Sequence, residues 1–242
     1  MSQGKVDIGP GNNRADVLVV GAGISGIQAS LDLAAMGFRV FLVDKSPAIG
    51  GKMAQLDKTF PTNDCSMCIE SPKFIECNRN PNIEILSYTE VEMVEGEAGD
   101  FRVTLLRKPR YIQDEKCRGC TACTEVCPVG VPNQFNQGLS ESKCTHIYFS
   151  QAVPLVTYID SENCLYLKDK KCGICEGACK NGAINLDQKP QRIDVFGSDG
   201  AYAGTLTGYY LPVGRLPNGE LLVPMDDEES GGIVIARMRV TR

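Results

Sequence analysis

Apolar residues run without a break at Val17-Leu18-Val19-Val20 and again at Val40-Phe41-Leu42-Val43, where Asp44 closes the second run. Unbroken runs of this length mark strands covered on both faces, as in a buried parallel sheet. Between them Ile24, Ile27, Leu31 and Ala35 recur at helical spacing until Gly37. The chain from Ala15 to Asp44 therefore predicts strand, glycine-bearing turn, helix, strand. Ile83-Glu84-Ile85-Leu86 predicts a further strand, and Thr89 to Val94 with Phe101 to Leu106 predict a small antiparallel excursion turned at Gly96 to Asp100. A cysteine-bearing stretch with Cys65, Cys68 and Cys77 lies before it, with a turn expected at Pro72.

These patterns divide the chain into four parts. Residues 1–13 are polar and glycine-rich and read as a flexible leader. Residues 14–112 hold the strand–turn–helix–strand unit, and 113–190 form a cysteine-rich module. Residues 191–242 contain no cysteine and read as a tail of short strands, with a hairpin signal at Asn218-Gly219. The acidic run from Asp226 to Glu229 reads as a solvated loop.

Composition narrows the function. With a net charge of −5 and no basic stripe interleaved with aromatics, nucleic acid is excluded as a partner. No apolar run approaches the ~18–20 residues that span a bilayer, and the N-terminus lacks the apolar core of a signal peptide. Twelve cysteines gathered in CxxC clusters without such a signal point to metal in a reducing compartment, with the cytoplasm as the expected location.

The cysteines carry the most specific chemistry. Cys117-x2-Cys120-x2-Cys123-x3-Cys127-Pro128 is the bacterial ferredoxin spacing, and Cys164-x7-Cys172-x2-Cys175-x3-Cys179 is the same pattern with its first ligand moved upstream. Two intervening residues return the chain to the next iron of a cubane, and the fourth thiolate comes from the other run. One [4Fe–4S] cluster would then take Cys117, Cys120, Cys123 and Cys179, and the other Cys164, Cys172, Cys175 and Cys127. Asp169 stands where the second run would ordinarily begin, so an oxygen ligand or a three-iron species is the alternative to Cys164. Zinc ribbons also use CxxC pairs and remain the competing reading.

Gly21-x-Gly23-x2-Gly26 follows a buried strand, opens an amphipathic helix and precedes an acidic residue on the next strand, Asp44. That context is what a dinucleotide site requires: glycines for the turn and for the approach of a pyrophosphate, the helix N-terminus for its charge, and the acid for ribose. Lys45-Ser46-Pro47-Ala48-Ile49-Gly50-Gly51-Lys52 resembles the paired-glycine loop of two-dinucleotide-binding flavoproteins, which favours FAD. NAD, or a unit without nucleotide, is the alternative. Candidate cofactor residues are Gly21, Gly23, Ile24, Ser25, Gly26, Asp44, Lys45, Gly51 and Lys52. Cys65, Cys68 and Cys77 are candidates for an extra metal site, a redox-active dithiol or packing thiols, with Cys144 also left over. His146 is the only histidine, so a hydrolytic triad is excluded and a packing role is expected.

Together these motifs resemble the A subunit of heterodisulfide reductase and its relatives. The resemblance rests on Gly21 to Gly26, Gly50-Gly51-Lys52-Met53, Asn63-Asp64-Cys65-Ser66-Met67-Cys68-Ile69, Lys108-Pro109-Arg110-Tyr111, Gln151 to Val156, and Cys164-Leu165-Tyr166 followed by Cys172-Gly173-Ile174-Cys175. It implies an FAD that exchanges electrons with cubane clusters, in anaerobic complexes that split electron pairs between acceptors. Partners would be heterodisulfide-reductase-like B and C subunits, hydrogenase or ferredoxin-type proteins. Full-length relatives continue into a second flavoprotein half, whereas residues 191–242 hold no second glycine fingerprint and no readable strand that would close over a flavin. The expected fold class is α/β: a Rossmann-like FAD-binding βαβ region with small antiparallel strands, plus a two-cluster ferredoxin-like α+β module. The expected function is an iron–sulfur flavoprotein oxidoreductase subunit. The alternative is a non-enzymatic electron-transfer module with a vestigial flavin half.

Overall fold

The computed structural model describes residues 16–97 and 100–195, together with short strands at 205–206, 214–215, 221–226 and 233–238. The leader at 1–13 lies outside the described residues. Strand β1 (Asp16–Val20) passes through a glycine turn into helix α1 (Ile24–Ala35), and β2 (Arg39–Asp44) returns parallel to β1. A 3₁₀ turn at Met53–Gln55 precedes helix α2 (Ser66–Arg79), which crosses over to β3 (Ile83–Ser87), parallel to β2. Strands β4 (Thr89–Glu97) and β5 (Asp100–Arg107) form an antiparallel pair with a register shift between Val91 and Met93.

The turn expected at Pro72 is absent, because Pro72 lies inside α2. A proline there forfeits one helical hydrogen bond. The face that spaces Ser66, Glu70, Phe74 and Cys77 by four, four and three residues is fully buried and holds the helix together across it.

The cysteine-rich stretch is built of short pieces. Helix α3 (Ala122–Glu125) is followed by β6 (Gly130–Pro132) paired with β7 (Glu141–Lys143), and by β8 (Thr145–Ile147) paired with β9 (Thr157–Ile159). Helices α4 (Leu165–Asp169) and α5 (Ile174–Ala178) come next. Backbone bonds from Gln113 to Ala183 (2.7 Å) and from Asn185 to Tyr111 (2.9 Å) tie the two ends of this stretch together.

The chain then returns to the first part. Strand β10 (Gln191–Val195) pairs antiparallel with β5, and β11 (Thr205–Leu206) lies parallel beside β1, giving the sheet order β11-β1-β2-β3. A separate antiparallel sheet joins β12 (Gly214–Arg215), β13 (Leu221–Asp226) and β14 (Ile233–Met238). Arg215 pairs antiparallel with Leu221, and the hairpin expected at Asn218-Gly219 falls outside the described residues. Asp226 ends β13, and the rest of the acidic run falls outside them too.

Strand alternation sends side chains to opposite faces. Val17, Val19, Val40 and Leu42 pack beneath α1 and α2 with Ile27, Leu31, Ala34 and Phe74. Leu18, Phe41 and Val43 pack on the other face against Val103, Leu105, Ile193 and Val195 of the antiparallel sheet. The parallel sheet is thus covered on both sides, and each fully buried aliphatic side chain contributes ~1.5–3 kcal/mol. A third core under the cysteine loops gathers Ile112, Val131, Val156, Ile159, Ile184 and Leu186. Among the described residues no helix is long and apolar enough to cross a membrane.

Candidate functional site

The glycine turn is held by the carboxylate of Asp44. The Ala22 N–H donates to Asp44 Oδ2 at 2.6 Å and the Ser46 N–H to Asp44 Oδ1 at 2.7 Å. The acid therefore ties the turn to the end of β2, and each oxygen keeps a further lone pair for a ligand. Gly26 admits no side chain: a Cβ there would stand 1.8 Å from the Gly21 carbonyl oxygen. The paired-glycine loop closes on the same turn through a bridge between Gly23 and Gly50. There, a Cβ on Gly51 (φ +61) would come within 2.8 Å of Gly23 Cα.

Gly23 caps α1 without a side-chain hydrogen bond, and no acid occupies the first turn. Ile24 and exposed Ser25 thus begin a twelve-residue helix whose positive end is left for an anion. Lys45 is exposed, and Lys52 donates to Gln55 Oε1 at 3.3 Å. These residues fit a dinucleotide pyrophosphate: backbone N–H groups, no competing carboxylate in the first turn and no Cβ in the way.

The two cysteine runs meet. Cys117, Cys120 and Cys123 line one cavity together with Cys179 from the distant run, alongside Thr157 and Ile184. The cavity is partly open to solvent. Cys179 Sγ accepts a hydrogen bond from the Ala183 N–H at 3.3 Å. Burial raises the Cys123 thiol, with Cys117 and Cys179 adding to the effect. Cys175 is pushed up to about 11, first by burial and then by Cys164, Cys123 and Cys127.

Cys164 and Cys127 pack in the same core, whereas the Asp169 carboxylate is turned outward to Lys171 at 3.3 Å. Cys172 is half-buried just before Gly173, the N-cap of α5. Among the described residues no three His, Cys, Asp or Glu side chains stand close enough to hold a single metal ion. Four cysteine sulfurs are a donor set for an iron–sulfur cluster or for zinc. Here Cys123 is buried, Cys117 and Cys179 are half-buried, Cys120 is exposed, and Arg118 lines the cavity beside them.

Strand β9 joins the two halves. Thr157 Oγ1 lies 3.6 Å from Cys117 Sγ and 3.8 Å from Cys123 Sγ. The next side chain, Tyr158, is buried against Tyr88, Tyr148 and His146, and its hydroxyl meets His146 Nε2 at 3.0 Å. His146 is thus a packing residue, its basicity lowered by burial. Burial and then Asp44 raise the Tyr148 hydroxyl, with Gln55 and Ser46 opposing the shift. Arg110, 4% exposed, donates from Nη2 to the Pro47 carbonyl and to Ser87 Oγ, both at 2.6 Å, and so anchors the start of the paired-glycine loop. No spacing in the sequence marks Thr157, Tyr158 or Tyr148. Arg110 belongs to the family-like stretch Lys108 to Tyr111, but nothing in that stretch gives it a role.

Of the remaining cysteines, Cys65 and Cys68 form a disulfide at the start of α2, where the Cys68 N–H donates to Cys65 Sγ at 3.2 Å. Cys77 does not join them. It lies in the last turn of α2, fully buried, with its thiol toward the Ile27 carbonyl, and burial pushes that thiol up to about 11. A third site built from all three is therefore not formed: twelve residues of continuous helix separate its members by ~18 Å. Cys144 is buried beside Cys164 and Cys127 and donates to the Asp160 carbonyl at 3.2 Å.

Known proteins resemble this chain over most of the described residues. The family described as FAD dependent oxidoreductase matches residues 16–160. The iron–sulfur A subunit of CoB–CoM heterodisulfide reductase from Methanocaldococcus jannaschii is 51% identical over 178 residues, covering 74% of this chain and 26% of that protein. An A subunit of the same enzyme from Methanopyrus kandleri is 55% identical over 152 residues, covering 63% and 22%. The chain thus spans about a quarter of the length of these curated relatives. Among solved structures, the L-proline dehydrogenase of P. horikoshii is similar at 26% identity and a TM-score of 0.35, covering 38% of this chain and 19% of that one. The T. acidophilum thioredoxin reductase follows at 22% and 0.33, covering 39% and 31%. By the family match and the identities to heterodisulfide reductase A subunits, this chain belongs to the FAD dependent oxidoreductase family.

Proposed function

We propose that this chain is the electron-carrying part of a heterodisulfide-reductase-A-like subunit. It would hold FAD on the glycine turn and two [4Fe–4S] clusters on the cysteine loops of a ferredoxin-like module at 113–190. The observation that carries the reading is the shared cavity of Cys117, Cys120, Cys123 and Cys179, which draws one ligand set from two distant runs. The second set is Cys164, Cys172, Cys175 and Cys127. Gly21, Gly23, Ile24, Ser25 and Gly26 would face the pyrophosphate, Asp44 the ribose, and Lys45, Gly51 and Lys52 the loop around the cofactor.

When bound, FAD supplies two-electron chemistry and the clusters supply single-electron carriage. The chain's own part is positional. The α1 N-terminus offers uncapped N–H groups to phosphate, Asp44 fixes the turn, and the loops gather the sulfurs of two distant runs around one cavity. The curated relatives are named as subunits of reductases acting on a heterodisulfide, some also on ferredoxin or H₂. The likeness supports a redox complex; the expected partners within it are B and C subunits, hydrogenase or ferredoxin-type proteins, and the expected location is the cytoplasm.

Anaerobic purification with reconstitution tests the reading. The expected product carries FAD and about eight irons with matching sulfide per chain. Cys179→Ala should remove the cluster shared with Cys117, and Cys127→Ala the other. A chain that takes up neither iron nor sulfide refutes the cluster assignment, and loss of the same cluster in both variants refutes the crossing.

A further inference from the structure

We propose that the hydroxyl of Thr157 is a positioning residue that sets the reduction potential of the group held by Cys117, Cys120, Cys123 and Cys179. This rests on the cluster reading above. Thr157 is 1% exposed, lines the same cavity as those four sulfurs, and holds Oγ1 at 3.6 Å from Cys117 Sγ and 3.8 Å from Cys123 Sγ.

Its place comes from the backbone. Thr157 opens β9, pairs with Ile147 of β8, and precedes a strand position whose side chain, Tyr158, is locked in the aromatic cluster. Strand alternation then directs Thr157 to the sulfurs while Tyr158 faces away. With free thiols the bond to Cys117 can run either way, and the Cys123 thiol donates to Oγ1. A thiolate bound to metal has no proton to give, so the hydroxyl becomes the donor. One O–H serves one sulfur at a time, and the shorter distance favours Cys117.

Hydrogen bonds to cluster sulfurs are a recognised lever on potential, because they stabilise the more negative reduced state. Among the sulfurs of this cavity, Cys179 already accepts from the Ala183 N–H. That donor is fixed in the main chain. The threonine donor belongs to a side chain and can be removed without moving the backbone.

The test is a redox titration of the reconstituted full chain, followed by electron paramagnetic resonance. Thr157→Val keeps the shape and removes the donor. We expect unchanged iron and sulfide content and one of the two reduction steps shifted to more negative potential. A fivefold change in the reduction equilibrium, the worth of about one net hydrogen bond, is ~40 mV for a one-electron couple. Thr157→Ser, which keeps the hydroxyl, should titrate with the wild type. A loaded Thr157→Val chain with both steps unmoved overturns the proposal, as does a Thr157→Ser chain shifted equally. Loss of iron from Thr157→Val alone would make the residue structural and also overturns it. Absence of iron from the wild-type chain is a separate result that removes the cluster reading itself.

Discussion

Replacing Glu70 by glutamine should flatten the pH dependence of folding stability. Glu70 lies in the second turn of α2 at 0% exposure, and among the described residues neither carboxyl oxygen finds a hydrogen-bond partner. Burial alone raises its pKa from 4.5 to about 7. Between those two values the folded chain keeps a proton that the unfolded chain has released. The stability tied to Glu70 is therefore fully present below about pH 4.5 and is lost as pH rises through about 7. At ~1.4 kcal/mol per pH unit the total loss is of order 3 kcal/mol. Glutamine is close in shape to the protonated acid and does not ionise. Urea unfolding followed by circular dichroism, at steps from about pH 5 to about pH 8, compares the two chains. The variant should match wild type at the acid end and exceed it by up to ~3 kcal/mol at the alkaline end. Parallel curves across that window would refute the assignment of a buried, unpartnered carboxyl.

Gly26→Ala should purify without flavin, since its Cβ would stand 1.8 Å from the Gly21 carbonyl oxygen. The FAD-to-protein ratio reads this, with Cys179→Ala as a control expected to keep its flavin. Phe74→Ala removes a ring that is 0% exposed and packs edge-on to Phe149 at 6.3 Å, so the denaturant midpoint should fall by the equivalent of ~3–5 kcal/mol. Cys144→Ala should leave iron content unchanged, whereas Cys164→Ala should lose one cluster. Equal iron loss in both would make Cys144 a ligand.

The parallel core was legible because strands buried on both faces announce themselves as unbroken apolar runs, and β1 and β2 fall on Val17–Val20 and Val40–Val43; β3 follows the apolar stretch Ile83–Leu86, which Glu84 interrupts. Helix α2 was not. Its inward face carries Ser66 and Glu70 where an apolar residue would have shown the period, and Pro72 reads as a break. The return of β10 to β5 and of β11 to β1 depends on pairing across long stretches of chain, to which local periodicity is blind. Cysteine spacing predicted that Cys179 crosses to the first run, and the cavity brings those side chains together. Thr157 lay hidden because β9 is three residues long and its polarity carries no pattern. The functional value of that threonine comes only from what the fold sets beside it.

Arg107 of β5 lies directly opposite Gln191 of β10, so the chain leaves one strand and resumes on its neighbour at a single point of the sheet edge. Everything between, including all eight clustered cysteines, leaves and returns at that point and packs back on the first part through Arg110, Phe149, Val153 and Tyr158. Domains tolerate insertions where the two anchoring ends lie side by side. Splicing residue 107 to 191 through a tight turn would preserve β5 and β10 as a hairpin, but it would also remove Arg110 and with it the hold on the paired-glycine loop at Pro47 and on Ser87. Ile49 and Phe74 would lose their cover of Val153 and Phe149 in that excision and would need polar replacements.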